Sequence, residues 1–156
     1  GCFNTSLSWK GFDLSAIFAY SIGGYIYNRD ITMILHNGSL EGRDWSTEIL
    51  RRWTPENRYT DVPALSTTSN NWNSASTRFL QNNSYMRLKN LTLSYNLPKQ
   101  LISKLALSSV QVFVQGDNLF TIHRNQGLDP EQGITGITYY RYPAMRTISG
   151  GINLSF

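Results

Sequence analysis

The last ten residues alternate between apolar or glycine positions and small polar ones. Ile148, Gly150, Ile152, Leu154 and Phe156 fall on one parity; Thr147, Ser149, Gly151, Asn153 and Ser155 fall on the other. A helix repeats every 3.6 residues and would scatter these two sets around its axis, whereas a strand puts alternate side chains on opposite faces. The segment therefore predicts a strand with one greasy face. Four earlier stretches carry the same pattern. Phe3, Thr5, Leu7 and Trp9 alternate with Asn4, Ser6 and Ser8. After Lys10-Gly11, which reads as a tight hairpin turn, Phe12, Leu14, Ala16, Phe18, Tyr20 and Ile22 alternate with Asp13, Ser15, Ala19 and Ser21, with Ile17 out of pattern. Leu91, Leu93, Tyr95 and Leu97 alternate with Thr92, Ser94 and Asn96. Val110, Val112 and Val114 alternate with Gln111, Phe113 and Gln115. Upstream of Leu91 the phase flips to Met86 and Leu88, so a β-bulge near Lys89-Asn90 is expected to restore a single face.

The polar face narrows the architecture. Water-soluble sandwiches also alternate, but their outer faces usually carry Lys and Glu. Here that face is Ser, Thr, Asn, Gln and Gly, and charged residues make up only 15% of the chain, against roughly 25% in soluble domains. This chemistry suits a wall between lipid and a watery lumen. Strands of about 11 residues tilted by about 45° cross the ~25 Å apolar band of an outer-membrane barrel, and no apolar run approaches the ~18 residues of a membrane helix.

The connections alternate short, long, short, long, the pattern of periplasmic turns and extracellular loops. The reading is all-β: an antiparallel transmembrane β-barrel segment. Strands are expected over about 3–9, 12–22, 85–97, 108–118 and 146–156, with long extracellular loops over about 23–84 and 119–145. The chain would then begin on the extracellular side and its last strand would end at the periplasm. Within the first loop, residues 44–53 read as a short helix with Asp44 or Ser46 as N-cap and Thr54-Pro55 as its stop. Residues 100–104, after Pro98, read as one helical turn.

Other classes fare poorly. The formal charge of +4 is scattered, and between positions 23 and 84 six arginines meet six acids. No basic face of the kind a nucleic-acid binder needs is present. Cys2 is the only cysteine, so no CxxC site or internal disulfide exists, and it reads as a small residue at a strand edge. His36 and His123 stand alone without zinc spacing. Asp117, Asp129 and Glu131 do not fit a calcium loop, and Asp129-Pro130 is first a turn former. No metal and no cofactor is expected. No GxSxG, P-loop or GxGxxG occurs, and nothing pairs Asp13, Asp117 or Glu131 as catalytic carboxylates. The chain does not read as an enzyme.

Five blocks, in order, carry a family resemblance. Residues 4–13 read NTSLSWKGFD, followed by LSAIFAY. Residues 52–57 read RWTPEN. Residues 84–98 read SYMRLKNLTLSYNLP, followed by KQLISKLAL. Residues 112–120 read VFVQGDNLF, and residues 127–131 read GLDPE. Together with Tyr142-Pro143, Arg146-Thr147 and the last strand, these resemble the C-terminal barrel region of SusC/RagA-type TonB-linked outer-membrane proteins of Bacteroidetes. The resemblance implies about five strands of a plugged barrel of about 22 strands. It implies uptake of glycans or peptides across the bacterial outer membrane, driven by TonB-ExbB-ExbD through a plug outside this sequence. It also implies a SusD-like lipoprotein lid, insertion by the barrel-assembly machinery, and contact with lipid and LPS.

Within that frame Ile148, Ile152 and Leu154 are the expected lipid-facing positions, and the terminal aromatic Phe156 is expected to be a barrel-assembly signal rather than an ordinary strand end. Trp9, Phe12, Tyr20, Tyr25, Tyr27, Tyr85 and Tyr95 suit an interfacial aromatic girdle; the aromatic core of a soluble sheet fits their spacing nearly as well. Trp45, Trp53, Tyr59 and Trp72 either stack on sugar or pack their loop into a compact lid. Arg52, Trp53, Glu56 and Asn57 contact either the lipoprotein partner or a neighbouring loop. Two rival architectures stand beside the importer. One is a soluble carbohydrate-binding β-sandwich with the loop tryptophans as its platform. The other is a small barrel or adhesin closed by several copies of the chain.

Overall fold

The computed structural model describes all residues except 37, 39, 41, 67, 69–73, 103–106, 126, 128 and 132–134. The chain divides into two units, Gly1–Gly24 with Asn83–Pro130 and Pro143–Phe156, and Tyr25–Asn82 with Glu131–Tyr142.

The first unit is a five-stranded antiparallel sheet built from β1 (Cys2–Trp9), β2 (Phe12–Ser21), β5 (Tyr85–Asn96), β6 (Ser109–His123) and β8 (Thr147–Ser155), in the order β1-β2-β5-β6-β8. Lys10 and Gly11 have φ of 48° and 88°. Two consecutive positive φ values make a type I′ turn, whose twist matches that of the strands it joins, and Trp9 pairs with Phe12 across it.

Register follows the alternation. Directly opposed residues share a face, and the pairs Leu7↔Leu14, Leu14↔Leu93, Leu93↔Val114 and Val114↔Gly150 run across all five strands. The phase flip in β5 is absorbed where Ile17 pairs with Asn90 but Phe18 pairs with Leu88, leaving Lys89 as the extra residue. Opposite that bulge β6 takes up slack of its own: Asp117 pairs with Asn90 and Phe120 with Leu88, with Asn118 at φ 52° between them. Hence β6 does not stop at residue 118 as expected. It recovers its phase beyond Asn118 and runs on to His123, with Phe120 and Ile122 opposite Leu88 and Met86. The loop expected over 119–145 starts five residues later.

The second unit corrects the reading of 23–84 as loop. β3 (Tyr25–Asn28) lies between β4 (Leu80–Asn82) and β7 (Ile137–Thr138), antiparallel to β4 and parallel to β7. Asn28, buried, ends β3 and caps α1 (Arg29–Ile34), its Oδ1 accepting from Ile31 N at 3.1 Å. The helix expected over 44–53 is a 3₁₀ turn, Thr47–Arg51, with Ser46 rather than Asp44 as its cap. Another 3₁₀ turn, Thr77–Phe79, precedes β4. Leu35, Ile49 and Val62 form a small buried cluster with Ile31 against it. After Pro98, α2 (Lys99–Ile102) supplies a helical turn; residues 103 and 104 of that expectation lie outside the described residues.

Candidate functional site

The sheet sorts its side chains by chemistry. One face carries Leu7, Leu14, Leu93, Val114, Ile148, Ile152 and Leu154, assembled by the register above. Cross-strand rings reinforce it: Phe3 stacks on Phe18 at 4.7 Å, and Phe12 leans on Tyr95 at 4.5 Å. Gly116 leaves room for Leu119, whose side chain fills the space a Cβ would need. Among the described residues, none seals this face. Ile148, Ile152 and Leu154 are 76%, 64% and 52% exposed, and Phe156, beyond β8, is almost bare. Monomeric soluble proteins rarely expose a continuous apolar patch of this extent. A water-soluble sandwich would have to seal these residues inside, and they stand exposed.

The opposite face is a hydrogen-bonded lattice of amides, hydroxyls and carboxylates. Asn90 Nδ2 donates to Asp117 Oδ1 at 2.8 Å, and Gln115 Nε2 reaches the same carboxylate at 3.2 Å. Asn153 donates to Gln111, which donates to Ser94, linking β8, β6 and β5. Near the Lys10-Gly11 turn, Asn96 and Ser8 both donate to Asp13. An aromatic ring interrupts the lattice. Phe113 lies over Gly151, where a Cβ would meet its ring at 2.9 Å.

On this same face Arg87 forms an ion pair with Asp129; the two side chains are 4% and 6% exposed. Arg87 Nε also donates to Thr121 Oγ1 at 2.9 Å, and Asp129 Oδ2 accepts from Ala144 N at 2.6 Å. A charge in such surroundings is tolerated only when paired and hydrogen-bonded. The pair thus joins β5 to both sides of the 124–146 connection. Sequence reading saw Asp129 only as a turn former. Its partner lies 42 residues away, a separation no local pattern reveals.

In the second unit the residues expected to touch cargo or partner separate into distinct roles. Trp45 is tethered: its Nε1 donates to His36 Nδ1 at 3.0 Å and its ring meets the imidazole edge-on at 5.5 Å. That bond makes His36 Nδ1 the acceptor, and Nε2 is buried with no partner among the described residues. The segment 52–57 folds into one turn. Asn57 N donates to Thr54 O at 3.1 Å, and Asn57 Nδ2 donates to the carbonyls of Arg51 and Arg52 at 2.9 and 3.3 Å. Trp53 N donates to Val62 O at 2.8 Å. Asn57 is therefore an internal brace and Arg52, half-buried, supplies backbone to it, while Trp53, Glu56 and Tyr59 project, Tyr59 with its whole side chain in solvent. Trp72 lies outside the described residues. Burial lowers the pKa of the Arg78 guanidinium, opposed by Asp61.

A cluster that no motif announced gathers around 139–140. The Arg29 guanidinium lies over the Tyr139 ring at 4.8 Å, and Tyr139 meets Tyr140 edge-on at 4.8 Å. Arg43 donates to the Tyr140 hydroxyl at 2.8 Å, and Asp30 Oδ1 accepts from Tyr140 N at 3.0 Å.

No protein-family model matches the sequence. Curated relatives do. TonB-dependent receptor P3 of Formosa agariphila is 33% identical over 99% of this chain, and TonB-dependent receptor P26 of the same organism is 30% identical over 99%. The chain spans 16% of the length of each. Solved structures agree. The RagAB peptide transporter superposes with a TM-score of 0.86 at 35% identity, covering 99% of this chain and 17% of that one. The RagAB peptide importer in its 'open-open' state gives 0.87 at 35% identity, covering 100% and 17%.

Proposed function

Since the chain belongs, as a part, to the SusC/RagA-type TonB-dependent receptors, we propose that it builds a section of the barrel wall and outer gate of a bacterial outer-membrane importer whose cargo is peptide. The single observation that carries this reading is the two-faced sheet: register puts the strands' aliphatic residues on one uncovered face and a hydrogen-bonded polar lattice on the other. Ile148, Ile152 and Leu154 face lipid, and the Asn/Gln/Ser face lines the lumen, where closed pairing satisfies the backbone as a bilayer demands. Peptide rather than glycan is favoured by the 35% identity to RagAB peptide importers. The connections 23–84 and 124–146 serve the extracellular side. Trp53, Glu56 and Tyr59, held out by the Asn57 brace, contact a SusD-like lipoprotein lid. TonB-ExbB-ExbD act on a plug formed by other residues of the receptor, and the barrel-assembly machinery inserts the whole.

Spin labels test the facing. In the full-length, otherwise cysteine-free receptor, a nitroxide at Ile152→Cys should be relaxed by membrane-dissolved oxygen. One at Asn153→Cys should respond to a water-soluble nickel chelate. The opposite accessibilities would overturn the assignment.

A further inference from the structure

In the second unit, β3, β7 and α1 border a cavity of about 380 Å³ lined by Tyr27, Arg29, Thr32, Met33, Leu40 and Ile137. That volume lies within the ~300–1,000 Å³ of small-ligand sites. Its walls mix apolar and polar surface, and among the described residues Arg29 is the charged one in the lining. The strand-to-helix junction fixes where Arg29 departs. Asn28 caps α1 immediately before it, and Thr32 Oγ1 donates back to Arg29 O at 2.6 Å. The guanidinium lies over the Tyr139 ring, a cation–π contact that leaves its N–H groups available to an acceptor. No ion pair reaches Arg29 among the described residues. The neighbouring carboxylate, Asp30, is engaged by Tyr140 N, and Arg43 braces the Tyr140 hydroxyl. The result is a guanidinium held over an aromatic ring, with no ion pair among the described residues, beside a partly apolar recess.

A planar, bidentate donor of this kind is matched by a carboxylate, and the recess suits the aliphatic or aromatic side chain beside it. The geometry points to a cargo subsite that takes a carboxylate of the imported peptide, an acidic side chain or the free C-terminus. This inference rests on the peptide-import reading above and adds a charge preference to it.

The test measures equilibrium binding to the full-length receptor purified in detergent. The probes are a fluorescent hexapeptide with acidic residues and a free C-terminus, its Asn/Gln-substituted and amidated twin, and an oligogalacturonate. The acidic peptide should bind about tenfold more tightly than its twin, the scale of one charge-assisted hydrogen bond. Arg29→Ala should erase that ratio, Arg29→Lys should keep part of it, and Tyr139→Leu should reduce it, with heat-modifiable migration of each variant unchanged. An unaltered ratio in Arg29→Ala overturns the subsite while peptide import stands. Arg29-dependent binding of oligogalacturonate in place of peptide overturns the peptide assignment of the site. Failure of the wild-type receptor to bind either peptide overturns the import reading, and the subsite with it.

Discussion

Arg87 and Asp129 lie 42 residues apart and meet as a buried ion pair on the polar face of the sheet. The pair satisfies both partners: Thr121 accepts from the guanidinium, and Ala144 N donates to the carboxylate. Removing one member strands a charge, at a cost of about 3–5 kcal/mol. Asp129→Ala should therefore loosen the 124–146 connection and raise its protease sensitivity in the assembled receptor, and Arg87→Met/Asp129→Leu should be less damaging than Asp129→Ala alone. Equal cleavage rates for wild type and Asp129→Ala would remove the clamp from the account.

Ile152→Arg sets a cation on the uncovered apolar face, at about 2–4 kcal/mol if that face meets mid-membrane lipid. The full-length variant should lose its heat-modifiable band. Ser149→Arg, on the opposite face of the same strand, should assemble. Identical behaviour of the two variants would contradict the facing.

Asn57→Ala breaks the brace of the 52–57 turn, removing the side-chain donor to the Arg52 carbonyl and one of the two to the Arg51 carbonyl, which keeps Thr60 Oγ1. A loss of about 1–2 kcal/mol of local stability is expected, read as faster hydrogen exchange over 51–62. Tyr59→Ala should leave that exchange unchanged and weaken capture of the lipoprotein partner in pull-down. A Tyr59→Ala receptor that retains its partner at wild-type level would exclude Tyr59 from the interface.

Gly11→Val places a β-branched residue at φ 88°, with its Cβ 3.0 Å from Asn96 O. The left-handed conformation costs an ordinary residue about 1–2 kcal/mol, and the close approach adds to it. The urea midpoint of the refolded receptor should fall. Lys10→Asn, which suits the first position of a type I′ turn, should raise it.

Trp45→Phe deletes the indole N–H that reaches His36 Nδ1. The ring contact persists and the hydrogen bond does not, so about 1 kcal/mol of local stability should be lost. Hydrogen exchange between residues 34 and 50 is the measurement, and unchanged rates there would show that the tether is energetically idle.

Alternation made the large sheet legible because its two faces carry different chemistry, and even the irregularity at Lys89-Asn90 announced itself as a flip of parity. The same logic failed at Asn118. Asp117-Asn118 ends the visible valine alternation, and only coordinates reveal that Phe120 and Ile122 resume pairing after a positive φ. The second unit was opaque for a different reason. Strands of two to four residues, as in Tyr25–Asn28 and Ile137–Thr138, carry too few side chains to show a period, and the parallel pairing of β3 with β7 depends on contacts more than 100 residues apart. Among the site residues, Trp53, Glu56 and Tyr59 were readable as prominent side chains in a loop. The internal use of Asn57 and the Arg29–Tyr139 stack were not, because both depend on how the backbone turns rather than on residue type.

β1 and β8 occupy the two outermost places in the strand order. Each therefore presents a full row of amide and carbonyl groups to nothing in this chain. Lipid cannot solvate such a row, and water leaves it free to recruit any other extended segment. Produced by itself in the cytosol, this region should zip to further copies border to border and sediment as β-rich aggregate. In the proposed barrel, neighbouring strands would have to arrive on both flanks before that happens.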